Sequence, residues 1–597
     1  MKVLEVIPVT RSIYAPGTLS YFSTKNAARG DLVKINFRNK ETFAVVWKTS
    51  DLAEEKAELK KIKSFKLKPI SSVVKEKFLS EEWFKILEEI SKNLFIPSSI
   101  LLSSLIPKAL LSKSLILSEN QPAGRHQKSA FRGSKEERIQ FFKGLIREHF
   151  ARKKSLAIIV PRIDTLKNLE NELGKGIENY VFSFSSELTS KKYLTAYNRT
   201  ATEAHPVLIL GTYQAIFFGR NDIETLIVDE EGSRLWKERE GFPFDMRKIF
   251  EIISEAKGLK LIWSDQILRV ETIYKTEHGE IEPKNSLTGR IQSQIETKII
   301  PLVKDENGFH WISKELRREI EEALFRNEKI LLFANRKGYS SFTICQDCSH
   351  LEVCPSCSTP LILHGAGTGK RKFLCHHCLK SQEVPIVCSN CGSWKLKDFG
   401  LGIEKVKEEF AKIFPKAKNV AIETERIFSG PEQKFDLVAI ISLDYLFSIP
   451  DFRINETIFR LISELKSKAT KKIILQTRLS ENKLLADAIA GNVSSFYQEE
   501  IKAREDFSYP PFTRLIKLSR EDKNLSLLQA EEKKVMETLK GSNPISFPAF
   551  HERLKNRYRW NILLKLQPKK WPEENLRSLL EKLGPMWQIS VDPDSII

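Results

Sequence analysis

Outside one stretch of fewer than fifty residues, this 597-residue chain contains no cysteine. A secreted fold stapled by disulfides distributes its cysteines more widely, so that architecture fits poorly. The sequence also lacks any run of about 18 uncharged apolar residues, the length that spans a bilayer. Its nearest approaches are short core-like stretches such as LAIIV and DLVAIIS. The N-terminal MKVLEVIPVTRSIY has no basic region followed by an apolar run, as an export signal would. The expectation is a folded, multidomain, cytoplasmic chain with no membrane association. At ~100 to 200 residues per domain the length allows three to five domains.

The cysteines themselves form four CxxC pairs: Cys345 and Cys348, Cys354 and Cys357, Cys375 and Cys378, Cys388 and Cys391. A CxxC turn brings two thiolates to one tetrahedral metal, and two turns complete a closed four-thiolate shell with no open position. Eight thiols therefore predict two structural zinc ions. His364, His376 and His377 lie nearby but read as surface or outer-shell histidines, because eight thiolates suffice. Spacing leaves the pairing of the CxxC units open. The 96 Lys+Arg against 77 Asp+Glu give a net charge of +19, which favours a polyanionic partner through counterion release. Solvated lysine-rich faces account for such a surplus equally well.

Residues Val3 to Trp47 carry short β-branched and aromatic runs between turn residues and read as a small β domain. A lysine-rich linker, EEKAELKKIKSFKLK, follows. Ser80 to Leu111 show helical spacing interrupted at Pro-Ser-Ser, as in a small helical or winged-helix module. The polar segment from Ser118 to Lys135 reads as a loop. Beyond it, apolar strands alternate with amphipathic helices at 156–161, 207–212, 225–231 and 259–265, and again at 329–336, 436–442 and 472–478. Strands so continuous in apolar residues are buried on both faces, predicting two α/β lobes with mainly parallel sheets. The cysteines interrupt the second lobe, and a C-terminal α+β domain begins near Ala503.

NRKGY at 335–339 leads into the cysteines, and DFGLGIEKVKEEFAKIFP at 398–415 follows them. LILGTYQAIF stands at 208–217, LIVDEEG at 226–232, SYPPFTRL at 508–515 and RYRWNILLK at 557–565. In order along essentially the whole chain, these motifs resemble those of the PriA family of primosomal replication-restart helicases, including its GTRSALF, VDEEH, YPPF and RxRW signatures. The resemblance implies an N-terminal β domain (1–70) binding a DNA 3′ end, a winged-helix-like module (71–115) and two RecA-like helicase lobes (116–285 and 286–502). It also implies a zinc-binding insertion (340–395) with two four-cysteine sites and a C-terminal domain (503–597). In the family the outer CxxC units share one metal: Cys345, Cys348, Cys388 and Cys391. The inner units, Cys354, Cys357, Cys375 and Cys378, share the other. The implied partners are forked or single-stranded DNA, primosome proteins, the replicative-helicase loading machinery and single-strand DNA-binding protein, with ATP and magnesium as the family's cofactors.

The departures fall on the ATPase site. A phosphate loop needs bare backbone N–H groups, a lysine and a hydroxyl around the triphosphate and Mg²⁺, but here the position reads SAFRGSKEERIQFF. Gly133, Ser134 and Lys135 are a remnant, and Glu136 and Glu137 put negative charge where phosphate would sit. GAGTGKR at 365–371 is a decoy between zinc ligands, ending in Arg371 where a hydroxyl is needed. Asp229 and Glu230 keep the acids that would hold Mg²⁺, but Gly232 replaces the family's histidine and Ser264, Asp265, Gln266 replace Ser-Ala-Thr. SELKSKAT at 463–470 replaces the QVAGRAGR element with its arginine finger, and ETERIFSGPEQKF has lost the GTQM and KGHDF character. These losses predict a structure-specific DNA-binding scaffold of replication restart that does not hydrolyse ATP, with Asp229 and Glu230 left as packing or solubility residues. The alternative is an ATP-dependent 3′-to-5′ DNA helicase with a divergent site. In the N-terminal domain Tyr21 is expected to stack on a terminal base and Gly30 to keep a close-approach position, while Ser20 stands where the family has aspartate.

Overall fold

The computed structural model describes residues 2–11, 17–51, 67–111, 126–217, 219–238, 243–291, 294–302, 310–334, 342–345, 347–348, 350, 352–355, 361–364, 372–374, 381–383, 387–399, 403–428, 433–447, 449, 451–554 and 556–596. They form two compact units. One comprises Met1–Leu287, Thr513–Phe547 and Lys555–Pro593; the other comprises Thr288–Phe512, Pro548–Leu554 and Asp594–Ile597.

The first unit opens with a six-stranded sheet built on Lys2–Pro8, Leu19–Ser23, Leu32–Phe37, Lys40–Asp51, Lys68–Pro69 and Ser72–Lys75. Ser72–Lys75 pairs antiparallel with Leu32–Phe37, so the β domain extends past the boundary expected at residue 70. Two helices follow, Glu81–Leu94 and Ser98–Leu105. Ser80 caps the first by accepting a hydrogen bond from the Trp83 backbone N–H, and Trp83, Phe84, Ile86, Leu87, Ile90 and Leu94 place its apolar stripe in the core. The lysine-rich linker lies outside the described residues.

Lobe 1 is a seven-stranded parallel sheet in the order Glu282–Pro283, Gln127–Arg132, Lys260–Asp265, Ile223–Asp229, Ser155–Ile159, Leu208–Gly211, Val181–Phe184. Gln127–Arg132 corrects the expectation of a loop up to Lys135. Its composition is polar, but it is hydrogen-bonded to a strand on each side, and Ser129 and Ala130 are buried, so tertiary pairing overrides weak local preference. The C-terminal strands Arg514–Asp522, Arg557–Leu566 and Gln588–Val591 pair antiparallel in this unit. Helices Leu525–Thr538 and Glu574–Glu581 contribute Val535, Leu576 and Leu580 to their core.

The second unit holds a five-stranded parallel sheet: Glu296–Pro301, Ala469–Thr477, Phe435–Ile440, Ile330–Phe333, Val420–Glu423. Leu316, Ile320, Val406 and Phe410 from helices Lys314–Phe325 and Ile403–Ile413 pack on strand residues Leu332, Ala439 and Ile474. Helix Val493–Asp506 runs through the boundary expected at 502, and the unit continues to Phe512. The antiparallel pair Phe342–Cys345 and Leu396–Phe399 frames the cysteine module. Among the described residues no helix is long and apolar enough to cross a membrane.

Candidate functional site

Tyr21 is not available to stack on a base. Its ring lies in the β-domain core with Leu4, Val6, Val33 and Ile35, and its hydroxyl donates to the Asn36 carbonyl at 2.8 Å. Strand alternation turns the aromatic inward, where burying a large apolar surface outweighs presenting it to solvent. Ser20, half-exposed, pairs across the strands with Glu5. Gly30 serves packing. Its φ is +90°, and a Cβ there would stand 2.4 Å from the Leu79 carbonyl oxygen, so only glycine lets this turn meet the segment leading into the first helix. The Leu79 N–H donates to the Gly30 carbonyl at 3.0 Å. Asp31 accepts from the Ala28 and Lys77 N–H groups at 2.8 Å each, and the Arg29 guanidinium sits 4.2 Å over the Phe84 ring.

In the cysteine module, the sulfurs of Cys345, Cys348, Cys388 and Cys391 lie within 4.8 Å of one another. Cys345 Sγ is 3.6 Å from Cys391 Sγ, and Cys348 Sγ is 3.5 Å from Cys388 Sγ. A tetrahedral ion about 2.3 Å from each sulfur requires edges of roughly 3.8 Å, so the donor set and its spacing fit a closed metal site. The outer CxxC units meet because the flanking strands are paired, Cys345 standing opposite Leu396. Glu352 accepts from the Ser389 N–H at 2.9 Å, and Asp347 accepts from the Ser393 hydroxyl at 2.7 Å. Of the inner set, Cys354 is described and buried, whereas Cys357, Cys375 and Cys378 lie outside the described residues. So do NRKGY, GAGTGKR, His376 and His377.

The position where the resemblance expects a phosphate loop lies between strand Gln127–Arg132 and helix Lys135–Ala151. Its backbone N–H groups have internal acceptors. Gly133 N donates to the Asp265 carbonyl at 3.0 Å, Ser134 N to Glu137 Oε2 at 2.7 Å, and Glu137 N to Ser134 Oγ at 3.2 Å. Ser134 and Glu137 thus form a capping box, in which a carboxylate completes the helix N-terminus. One residue further on, the Arg138 guanidinium turns into the sheet. Its Nη1 donates to the Gly133 carbonyl at 3.0 Å, and its Nε lies 2.9 Å from Asp229 Oδ1. Burial works against the charge on Arg138, but Asp229, Asp265 and Glu230 around it prevail and raise its pKa.

Asp229 is likewise buried, and desolvation pushes its pKa up to about 6 despite the arginine. Glu230 has a φ of +53°, a strained conformation for a side-chain-bearing residue. Its carboxylate accepts from Arg162 at 3.0 Å and Thr165 at 2.9 Å. Glu231 turns the other way, accepting from Thr272 and from the Arg269 N–H at 3.0 Å, and burial pushes its pKa up to about 7. Asp265 accepts from the Gly232 N–H at 2.7 Å, tying the altered Ser264-Asp265-Gln266 segment to the strand carrying Asp229. Every described carboxylate of this cluster has a partner from the chain itself, so the residues here do not fit a magnesium–triphosphate. The sequence reading missed Arg138; the S-x-x-E signature of the cap was readable, but the arginine's reach across to another strand was not.

In lobe 2 the stretch replacing the arginine-finger element continues helix Ile454–Lys468 into strand Ala469–Thr477. Its two cations are Lys466 and Lys468. Lys466 is buried and donates to the Ile489 carbonyl at 2.6 Å, and Lys468 lies 5.6 Å over the Phe428 ring.

Residues 6–107 match a family model described as the 3′DNA-binding domain of PriA. The replication restart protein PriA of Bacillus subtilis is 26% identical over 486 residues, 73% of this chain and 59% of that one. The PriA of Rickettsia prowazekii is 23% identical, with 95% of each chain covered. Over most of its length the chain is similar to PriA proteins, and its N-terminal part to their 3′DNA-binding domain. It spans 59% of the Bacillus relative's length. A solved structure of RecG bound to a three-way DNA junction aligns with TM-score 0.33 and 12% identity, over 75% of this chain and 48% of RecG. The PriA-family domain match crosses the boundary expected at residue 70, as the Ser72–Lys75 strand does.

Proposed function

We propose that this chain is a PriA-like replication-restart protein that binds forked or single-stranded DNA and assembles primosome proteins and the replicative-helicase loader there, without hydrolysing ATP. The observation that carries the reading is the buried Arg138–Asp229 pair at 2.9 Å, at the end of the strand where the family holds magnesium. The match of residues 6–107 to a 3′DNA-binding domain supports DNA as the ligand, as does the net charge of +19. Two zinc ions stabilise the cysteine module in this reading. One is held by Cys345, Cys348, Cys388 and Cys391, and the other by Cys354, Cys357, Cys375 and Cys378. Single-strand DNA-binding protein is a further partner that the family suggests.

An active 3′-to-5′ helicase is the second reading, favoured by the retained Asp229 and Glu230. Phosphate release by purified protein with forked DNA separates the two. The scaffold reading expects none above background, together with fork affinity above duplex affinity and a steep loss of affinity with salt. Release that rises with forked DNA and is abolished by Asp229→Asn restores the helicase.

A further inference from the structure

The acids around the lobe 1 strand ends carry a chemical demand of their own. Asp229, Glu230 and Asp265 all act on Arg138, and a group of carboxylates at buried strand ends needs a cation to offset desolvation. A nucleotide-dependent lobe takes that cation from solution with its substrate. Here the first turn of helix Lys135–Ala151 presents a guanidinium to Asp229 and a carboxylate, Glu137, to the loop N–H of Ser134. The two charges stand where a lysine or metal and a phosphate oxygen would otherwise meet the same elements. Space reinforces this arrangement, since a Cβ on Gly133 would come within 3.0 Å of Glu137 Cβ and 3.1 Å of its Oε2; the loop is closed down onto the glutamate.

We propose that Arg138 is the resident cation of lobe 1 and Glu137 its resident anion, so that the chain carries an internal replacement for the magnesium–triphosphate of its relatives. The inference rests on the reading of lobe 1 as non-hydrolysing, and adds that the site is filled rather than merely empty. An emptied site would leave the carboxylates uncompensated. A filled site makes lobe 1 independent of nucleotide and divalent ion, and it hides a cation site that removal of one side chain exposes.

The test is a double-mutant cycle on the full-length chain, read by thermal melting and by Mn²⁺ titration with electron paramagnetic resonance. Arg138→Ala should melt about 10 °C below wild type, because it strands a buried carboxylate. It should also gain one Mn²⁺ equivalent that wild type lacks and be partly restored by millimolar MgCl₂. Arg138→Ala with Asp229→Asn should melt closer to wild type than Arg138→Ala does and lose the gained Mn²⁺ equivalent. If Arg138→Ala cannot be purified folded, recovery of folded protein by the double variant supports the proposal in the same way. Additive melting losses overturn it, as does failure of both variants to fold, an Arg138→Ala protein that melts as wild type, or wild-type Mn²⁺ binding abolished by Asp229→Asn. DNA-stimulated phosphate release by wild type would instead remove the non-hydrolysing reading. Silent ATPase with additive losses removes only the role of Arg138 and Glu137.

Discussion

The cysteine module and the lobe 1 strand ends both gather metal-ligand residues into a few ångströms, and they differ in who supplies the countercharge. In the module, four sulfurs face one another within 4.8 Å. Ionised thiolates that close repel, and they hold together only around a cation from outside. At the strand ends, Asp229 meets Arg138 at 2.9 Å and Glu230 meets Arg162 at 3.0 Å. The cysteine cluster therefore fits a metal from outside, whereas the strand-end acids have cations of their own chain beside them.

Removing the outside cation should have the largest effect. Chelation, or Cys348→Ser, should unfold the strands Phe342–Cys345 and Leu396–Phe399 at a cost on the order of 10 kcal/mol. Hydrogen exchange would localise the loss, and metal analysis should return about two zinc per chain. One zinc or none would break the comparison from the module's side.

Removing the internal countercharge comes next. Asp229→Asn should cost about 3 kcal/mol in urea unfolding, because Arg138 loses its buried partner, while affinity for forked DNA stays unchanged. Equal stability of variant and wild type would mean that the pair contributes nothing to lobe 1.

A smaller effect is expected from titration. Burial pushes the Glu231 pKa up to about 7. A raised carboxyl binds its proton more tightly when folded, so its contribution is full below about pH 4 and is lost as pH rises through 7. Glu231→Gln should flatten the upper part of this decline, a difference on the order of 2 kcal/mol at pH 8. An unchanged slope between pH 6 and 8 would place Glu231 in a more polar setting than its burial implies.

The smallest effect concerns the N-terminal domain. Tyr21→Phe removes one hydrogen bond to the Asn36 carbonyl and should cost about 1 kcal/mol of stability. It should leave the ratio of affinities for 3′-ended forks and blunt duplex where it was. A selective loss on 3′-ended forks would show that this buried hydroxyl reaches the DNA.

How much was legible beforehand differs by element. The seven expected apolar strands all appear as parallel strands near the expected residues, from Ser155–Ile159 to Ala469–Thr477, because strands buried on both faces leave a continuous apolar signature. Gln127–Arg132 left none, being held by its neighbours and not by its composition. Tyr21 was misread because an aromatic on a short strand has the same sequence signature whether its ring faces core or solvent; only the sheet's register decides. Arg138 was invisible for a related reason. Its partner Asp229 is 91 positions away, and no local pattern carries that distance.

The amino-acid sequence by itself determined the thiol inventory and the parallel α/β character of both lobes, since each is written in residue type and short-range spacing. Tertiary structure alone decided which CxxC units meet at Cys345, Cys348, Cys388 and Cys391, that Gly30 yields its space to Leu79, and that Asp229 meets the Arg138 guanidinium. Pairing, close approach and charge compensation depend on distances across the fold. These are set when strands far apart in sequence come to lie side by side, where burial makes an uncompensated charge costly enough to select its partner.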